Sequence, residues 1–405
     1  MLRPPRTTGH LIALLALLSA APAQADEGNE APASPAMAAP AVSSSATPAS
    51  AAPATAVAAG ATPTSAATKG RAISPRRRAL AATGAVVPGL LVHGTGHFLL
   101  GEGRTGMSLL ALGGAGTGLM IGGLAGAAVT GASRRVIAPI VLTTVTGAGL
   151  FGITLLADLY GVLAPEGGTG SAPSALPWVE TQIGLAYVHD PTFAYRTFVV
   201  PGMDLRLRSL RLSGAGWFAL NDDNARLRAE TAYRFLGPGT PDGPRAADGS
   251  FLEIEAALTH HRYTSDGFSI TTGEVTLQGR LDLAHIGPTL RGSFAEMGWG
   301  IGVEAYRNGR RPHEGNELLT PHFAFGMYLG HEGYPRGEAK VVYEHRHDGY
   351  AAGAKLTGLG SGVPGHLGLQ GRVYASPGWG VLAEVQAGSA YVGRLSLLLR
   401  PGGSP

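Results

Sequence analysis

Two histidines and an aspartate lie in apolar surroundings, where an ionisable side chain is costly. His93 and His97 are four residues apart, so a helix would present both on one face, and Asp158 closes a later apolar stretch. Two histidines can begin a metal site, but no third ligand has suitable spacing. Because ionisable groups at membrane depth are usually functional, we predict an intramembrane polar cluster of these three residues. The alternative places both rings at the headgroup level beside Glu102 and Arg104.

Other residues that could do chemistry form no complete site. His260-His261 and His345-x-His347 bring imidazoles close together, but neighbouring carboxylates would point elsewhere. Ser361 lies one position late for a nucleophile elbow, and neither a P-loop nor an HExxH zinc motif occurs. The chain has no cysteine, which excludes thiolate metal sites and thiol catalysis. We therefore predict a protein that is not an enzyme and that uses no cofactor and no metal.

The composition points toward a membrane. Of the 405 residues 62 are glycine, and only 15% are charged, well below the usual quarter. A formal net charge of +3 over this length is no nucleic-acid footprint, so no nucleic-acid partner is expected. The expected partner is the lipid bilayer, with other envelope proteins as a further option.

The N-terminal segments predict export followed by a tether. A basic start, the apolar residues 11–18 and a small-residue cleavage motif ending at Ala25 are typical of a signal peptide, predicted over residues 1–25. Residues 26–78 are rich in Ala, Pro, Ser and Thr, a composition that cannot bury enough apolar surface to fold. We predict a disordered spacer there, in the envelope of a Gram-negative-type bacterium.

Residues 79–165 are predicted to form a helical membrane module. The stretches 105–133 and 136–157 carry no charge, and each is long enough to cross about 30 Å of hydrocarbon. Whether the first apolar stretch, 79–101, also spans is left open. Small residues at four-residue spacing allow close helix packing. The glycines expected at the contact between the two helices are Gly114, Gly118, Gly122 and Gly126, answered by Gly152.

The start of this module resembles TM2-like small membrane domains, which carry a PGxGQFYNG-type motif. The residues concerned are Pro88-Gly89, Gly96-His97-Phe98-Leu99-Leu100-Gly101, Gly106 and Asp158-Leu159-Tyr160. His97 stands where the family usually has Gln, and Leu99 where it has Tyr. The resemblance implies a helical membrane module and no particular activity.

Residues 176–400 change to a period of two. In segments such as 226–235 and 274–283, apolar and polar residues alternate, which indicates strands with one apolar and one polar face. Turn clusters rich in Gly, Asn and Asp separate these segments. We predict a closed antiparallel β-barrel of about 12 strands, within a range of 10 to 14, because closure leaves no free edges.

The alternation would suit a barrel in lipid or in water, but three features favour lipid. Aromatic residues lie near strand ends, and the polar face mixes Arg with Glu, as a lumen of paired charges would. A soluble surface would usually show more lysine than the three residues of this chain. This half resembles bacterial outer-membrane β-barrels, although its last strand, residues 391–399, lacks their usual terminal aromatic. One conflict remains, because helical spans normally stop in the inner membrane whereas lipid-facing barrels occupy the outer one.

The favoured function is that of a non-enzymatic envelope barrel of structural or small-pore type, placed in the outer membrane and carrying a helical membrane module. A first alternative is an inner-membrane-anchored protein with a periplasmic β-rich binding or scaffold domain. A second alternative is a barrel lipid hydrolase. The sequence selects no ligand or transported solute.

Overall fold

In the computed structural model, the described part of the chain begins with helices and continues with strands. The described residues are 74–131, 133, 136–173, 176–190, 196–239, 248–264, 267–308, 314–331, 333–345, 350 and 365–401. The predicted signal peptide and nearly all of the predicted spacer lie outside these residues.

Four helices precede the strands. Helix α1 (Pro75–Val86) is capped by Ser74, whose hydroxyl accepts a hydrogen bond from the backbone N–H of Arg77 at 3.4 Å. Helix α2 (Thr95–Leu100) is short and lies between two glycines with positive φ. Helices α3 (Gly103–Thr130) and α4 (Ile137–Leu163) form an antiparallel hairpin. Both are long and apolar enough to cross a membrane.

The strands form one sheet that closes on itself. They are β1 (Val179–His189), β2 (Thr197–Leu207), β3 (Leu210–Ala219), β4 (Ala225–Leu236), β5 (Phe251–Arg262), β6 (Phe268–Asp282), β7 (Ser293–Asn308), β8 (Glu314–Leu319), β9 (His322–Leu329), β10 (Arg336–Glu344), β11 (His366–Tyr374), β12 (Trp379–Ala387) and β13 (Tyr391–Leu399).

Each strand pairs with its neighbour in antiparallel fashion, and the pairing of β1 with β13 closes the ring. Strands β8 and β9 pair with the two halves of β7 and are separated only by Thr320 and Pro321. They are therefore two halves of one strand, since a proline offers no N–H to the ladder. The barrel has twelve strand positions, which confirms the predicted fold class.

The two ends of the barrel are distinct. We call the end at which β1 begins and β13 ends the near end, and the opposite one the far end. Two 3₁₀ turns, Leu283–His285 and Pro288–Leu290, connect β6 to β7 at the near end. An eleven-residue strand such as β1 rises about 36 Å along its axis. A tilt of about 40° leaves roughly 28 Å across a membrane, close to the apolar band of about 25 Å in membrane barrels.

The outer surface of the barrel is apolar, with aromatic residues at both rims. Leu185, Leu258 and Leu395 are more than half exposed on this surface, at 57%, 58% and 60%. Exposed aromatic side chains lie near the two strand ends, with Trp178, Tyr233, Phe235 and Trp379 at the near end and Tyr187, Phe218 and Tyr391 at the far end. An apolar wall between aromatic girdles is the surface of a barrel that spans a bilayer.

The helical hairpin packs on the outside of this wall. Gly149 of α4 faces the ring of Phe323 on β9 so closely that a Cβ atom at residue 149 would overlap the ring. The indole N–H of Trp299 on β7 donates to the Thr146 hydroxyl at 3.1 Å, and the Tyr160 hydroxyl donates to the Arg291 carbonyl oxygen at 2.9 Å. The helices therefore run beside the strands, within the same apolar layer.

The contact between α3 and α4 uses other glycines than those predicted. A Cβ at Gly147 would overlap the Met120 backbone nitrogen, and one at Gly116 would lie 2.8 Å from the Phe151 backbone nitrogen. A Cβ at Gly123 would overlap the Thr144 hydroxyl.

The predicted four-residue ladder needs correction. A Cβ at Gly114, Gly118, Gly122 or Gly152 would meet nothing within 4 Å, and one at Gly126 would only touch Ile140 at 3.6 Å. The reason is helical geometry, because a four-residue step overshoots one turn of 3.6 residues, whereas a seven-residue step such as Gly116 to Gly123 stays on one seam.

Candidate functional site

The first site is a buried junction between α2 and α4. The Nδ1 atom of His97 lies 2.6 Å from Oδ1 of Asp158, and both side chains are fully buried. The Asp158 carboxylate also accepts backbone N–H groups from Gly94 at 2.9 Å, Gly96 at 3.3 Å and His97 at 3.3 Å. A carboxylate at the start of a helix satisfies N–H groups that have no partner within that helix.

His93 belongs to the same buried region but has another partner. Its Nδ1 atom lies 2.6 Å from the Thr154 hydroxyl, and its ring lies 4.3 Å from that of Phe151. His93 precedes α2, so the two histidines do not share a helix face. The structure thus brings His93, His97 and Asp158 together. Within the described part of the chain, no group of three or more His, Cys, Asp or Glu side chains is placed to hold a metal ion.

The second site is the barrel lumen, which the alternation predicts to be polar. Charged residues of most strands point inward and meet across the barrel. On β6, β7 and β10, Arg280 donates to Glu296 at 2.5 Å and to Glu338 at 2.9 Å, while Lys340 donates to Glu296 at 2.8 Å. Strand β9 lies between β7 and β10, and its inward residues there are Ala324, opposite Glu296, and Gly326, opposite Lys340, which leave room for these contacts.

Two further ion-pair networks line the same lumen. Arg228 contacts Glu230 and reaches Glu274 at 2.5 Å, and Arg211 donates to Glu255 at 2.7 Å. At the near end of the barrel, Glu180 accepts hydrogen bonds from Tyr374 at 2.6 Å and Arg400 at 2.8 Å and pairs with Arg372 at 3.2 Å. Pairing of this kind offsets the cost of removing charges from bulk water.

The lumen holds two cavities with a layer of side chains between them. The far cavity has a volume of about 320 Å³ and the near cavity about 250 Å³. Both are bounded by the same four side chains, which we call the dividing layer: Gln278, Glu296, Lys340 and Gln370. The Tyr350 ring narrows the far mouth, where it packs 4.8 Å from Phe198 and 5.1 Å from Trp217 and donates to Asn224 at 2.7 Å.

The two cavities carry opposite charge. Among the described residues, three cations and six carboxylates line the far cavity, a formal excess of three negative charges. Eight cations and five carboxylates line the near cavity, a formal excess of three positive charges. The near-cavity cations are Arg206, Arg211, Arg234, Arg280, Arg336, Lys340, Arg372 and Arg400, and its carboxylates are Glu180, Asp204, Glu253, Glu296 and Glu338.

An apolar wall, aromatic girdles and a charged, closed lumen define a transmembrane β-barrel. No protein-family model matches the chain, and no curated protein does.

Solved structures with similarity to this chain are themselves barrel-forming proteins. The KdgM porin aligns with a TM-score of 0.33 and 8% identity over 54% of this chain and 98% of its own. The translocator domain of the autotransporter NalP from Neisseria meningitidis aligns with a TM-score of 0.28 and 14% identity over 55% and 87%. The β domain of the Bordetella autotransporter BrkA gives 0.26 and 14% over 55% and 98%. At these values, the class rests on this chain's own wall and lumen.

The dividing layer could not be found as a unit from the sequence. The alternation over 274–283 predicts a strand whose polar face includes Gln278 and Arg280, but it does not show which residues meet inside a barrel. A signal was available in Lys340, one of only three lysines in the chain and the only one in a described strand.

Proposed function

We propose that this protein is a non-enzymatic outer-membrane β-barrel of the small-pore type, whose passage is limited by its own lumen side chains. The dividing layer carries this proposal, because it separates the two cavities inside an otherwise continuous polar lumen. With twelve strands the interior is narrow, and wide aqueous channels belong to barrels of 16 or more strands.

The apolar wall supports a location in the bilayer over the alternative of a water-exposed periplasmic domain. A periplasmic domain would direct its polar face outward, whereas here Leu369 is 57% exposed and its neighbour Gln370 lines the lumen. The outer membrane is favoured because the chain starts with a predicted export signal and because closed barrels are the form in which strands cross a membrane.

The test is the current through the full-length protein in planar lipid bilayers. We expect a small conductance for the natural protein. The double variant Lys340→Ala with Gln370→Ala removes two of the four side chains in the dividing layer and should raise the conductance, while Arg280 still pairs with Glu296.

A matched control uses the adjacent residues on the same two strands. Val341 and Leu369 face outward and pair with each other, as Lys340 and Gln370 do inside. The double variant Val341→Ala with Leu369→Ala should conduct like the natural protein. The proposal fails if the natural protein already passes the large current of a wide channel, or if the inward and outward double variants conduct alike.

A further inference from the structure

The near cavity holds more positive charge than its own carboxylates can balance. Eight cationic side chains face five carboxylates there, and one of the cations, Arg211, is balanced from outside the cavity by Glu255 at 2.7 Å, which leaves a formal excess of two. A net charge in a partly desolvated space raises the free energy of the folded barrel unless a counter-charge arrives. The excess therefore marks a place where a mobile anion gains free energy by binding.

Two arginines of this cavity are available to such an anion. Among the described residues Arg206 makes no ion pair or side-chain hydrogen bond, and the residue opposite it in the β2–β3 ladder is another arginine, Arg211. Arg211 itself is taken up by carboxylates, including Glu255 at 2.7 Å. Like charges directly opposite in a ladder are destabilising, so the barrel retains Arg206 at a cost to its own stability.

The second arginine is Arg336, at the start of β10 on another side of the cavity. Its guanidinium donates to the Tyr334 hydroxyl at 2.9 Å and lies 4.7 Å from the centre of that ring. Both contacts are with a neutral side chain, which fixes the position of the guanidinium without neutralising it. Planar guanidinium groups bind oxyanions through paired N–H donors.

We propose that the near cavity is a binding site for a small oxyanion of the phosphate class, held between Arg206 and Arg336. The volume of about 250 Å³ lies below the range of drug-sized ligands and suits an anion of a few heavy atoms. The cavity lies at the near end, so the anion enters from the side of the membrane on which β1 begins and β13 ends. The inference rests on the lumen of the proposed function but requires no conduction.

The experiment is calorimetric titration of the full-length, detergent-solubilised protein with inorganic phosphate in low-salt buffer. We expect saturable binding to the natural protein. Arg206→Gln and Arg336→Gln should each weaken it by about tenfold or more, the effect of one charge-assisted hydrogen bond. Arg206→Lys, which keeps the charge but not the paired donors, should weaken it less than Arg206→Gln.

The control is Arg262→Gln, because Arg262 pairs with the exposed Asp223 at 3.0 Å outside the cavity. It should bind phosphate like the natural protein. A folding check is built in, since Arg206→Gln removes a like-charge contact and should leave the thermal midpoint without phosphate unchanged or raised. The proposal is overturned if the natural protein does not bind phosphate, or if the double variant Arg206→Gln with Arg336→Gln binds it equally well. A binding protein that passes no current would overturn only the small-pore function.

Discussion

The buried carboxylate of Asp158 connects the short helix α2 to α4. It contacts the His97 ring and accepts three backbone N–H groups, from Gly94 before α2 and from Gly96 and His97 in the first turn of α2, and it lies on α4. A carboxylate so placed fixes the start of α2 to the helix that packs on the barrel wall. The three residues of the predicted intramembrane cluster, His93, His97 and Asp158, lie in one buried region. That this cluster acts as a functional site stays a prediction.

This role of Asp158 predicts a local loss of protection. In Asp158→Asn the charge and one acceptor oxygen are lost, so the amide hydrogens of Gly94, Gly96 and His97 should exchange faster by about tenfold or more, since a hydrogen bond to a charged group contributes about 1.5–3 kcal/mol. Hydrogen–deuterium exchange with mass spectrometry measures the change. Glu166→Gln, at an exposed acid just after α4, serves as the control, and equal exchange in the two variants would remove the carboxylate from this role.

At the scale of elements, the hairpin shows what a sequence pattern can and cannot supply. The uncharged stretches predict the positions of α3 and α4, and the small residues in them predict glycine-mediated packing, although α4 continues past its stretch through Asp158 to Leu163. The particular seam does not follow, because several glycine spacings coexist in α3 and only the partner helix selects among them. Gly116 and Gly123 meet α4, whereas Gly118 faces away from it.

The seam can be tested with two alanine substitutions of the same size. Gly147→Ala places a methyl group against the Met120 backbone, which cannot move aside as a side chain can, and should destabilise the hairpin by about 1–3 kcal/mol. Gly118→Ala meets open space and should be neutral or stabilise the helix by up to about 1 kcal/mol. The thermal midpoint followed at 222 nm reports both. Equal destabilisation by the two variants would contradict a helix contact that runs through Gly147 and not through Gly118.

The barrel, too, is predicted from the sequence only in part. Alternation in the sequence predicts strands, closure and a polar lumen, because each strand carries its own apolar and polar faces. It cannot predict that Lys340 reaches Glu296 over a strand whose inward residues are small, because that contact depends on three strands at once. Nor can it predict the opposite charges of the two cavities, because the register between neighbouring strands decides which inward residues share a cavity.

At the scale of the whole molecule, the structure shows how helical spans and a lipid-facing barrel can belong to one chain. The hairpin is not a separate anchor, because α4 packs along β7 and β9 on the outer wall of the barrel. Both modules therefore share one apolar layer, and a single membrane can hold them. We expect this membrane to be the outer one, with the hairpin lying against the barrel within it.

A disulfide placed between the two modules tests this claim, since the chain has no cysteine of its own. A Cβ at residue 149 would overlap the Phe323 ring, so the Cβ atoms of a Gly149→Cys, Phe323→Cys variant lie within about 4 Å, the range for a disulfide. Gly152→Cys with Phe323→Cys is the control, because residue 152 has no neighbour within 4 Å.

The deciding measurement is oxidation of cells that carry each pair, followed by separation of the inner and outer membranes and non-reducing electrophoresis. We expect the 149–323 pair to form an intramolecular disulfide in the outer-membrane fraction, while the 152–323 pair stays reduced. Recovery of the protein with the inner membrane, or equal cross-linking of the two pairs, would contradict this expectation.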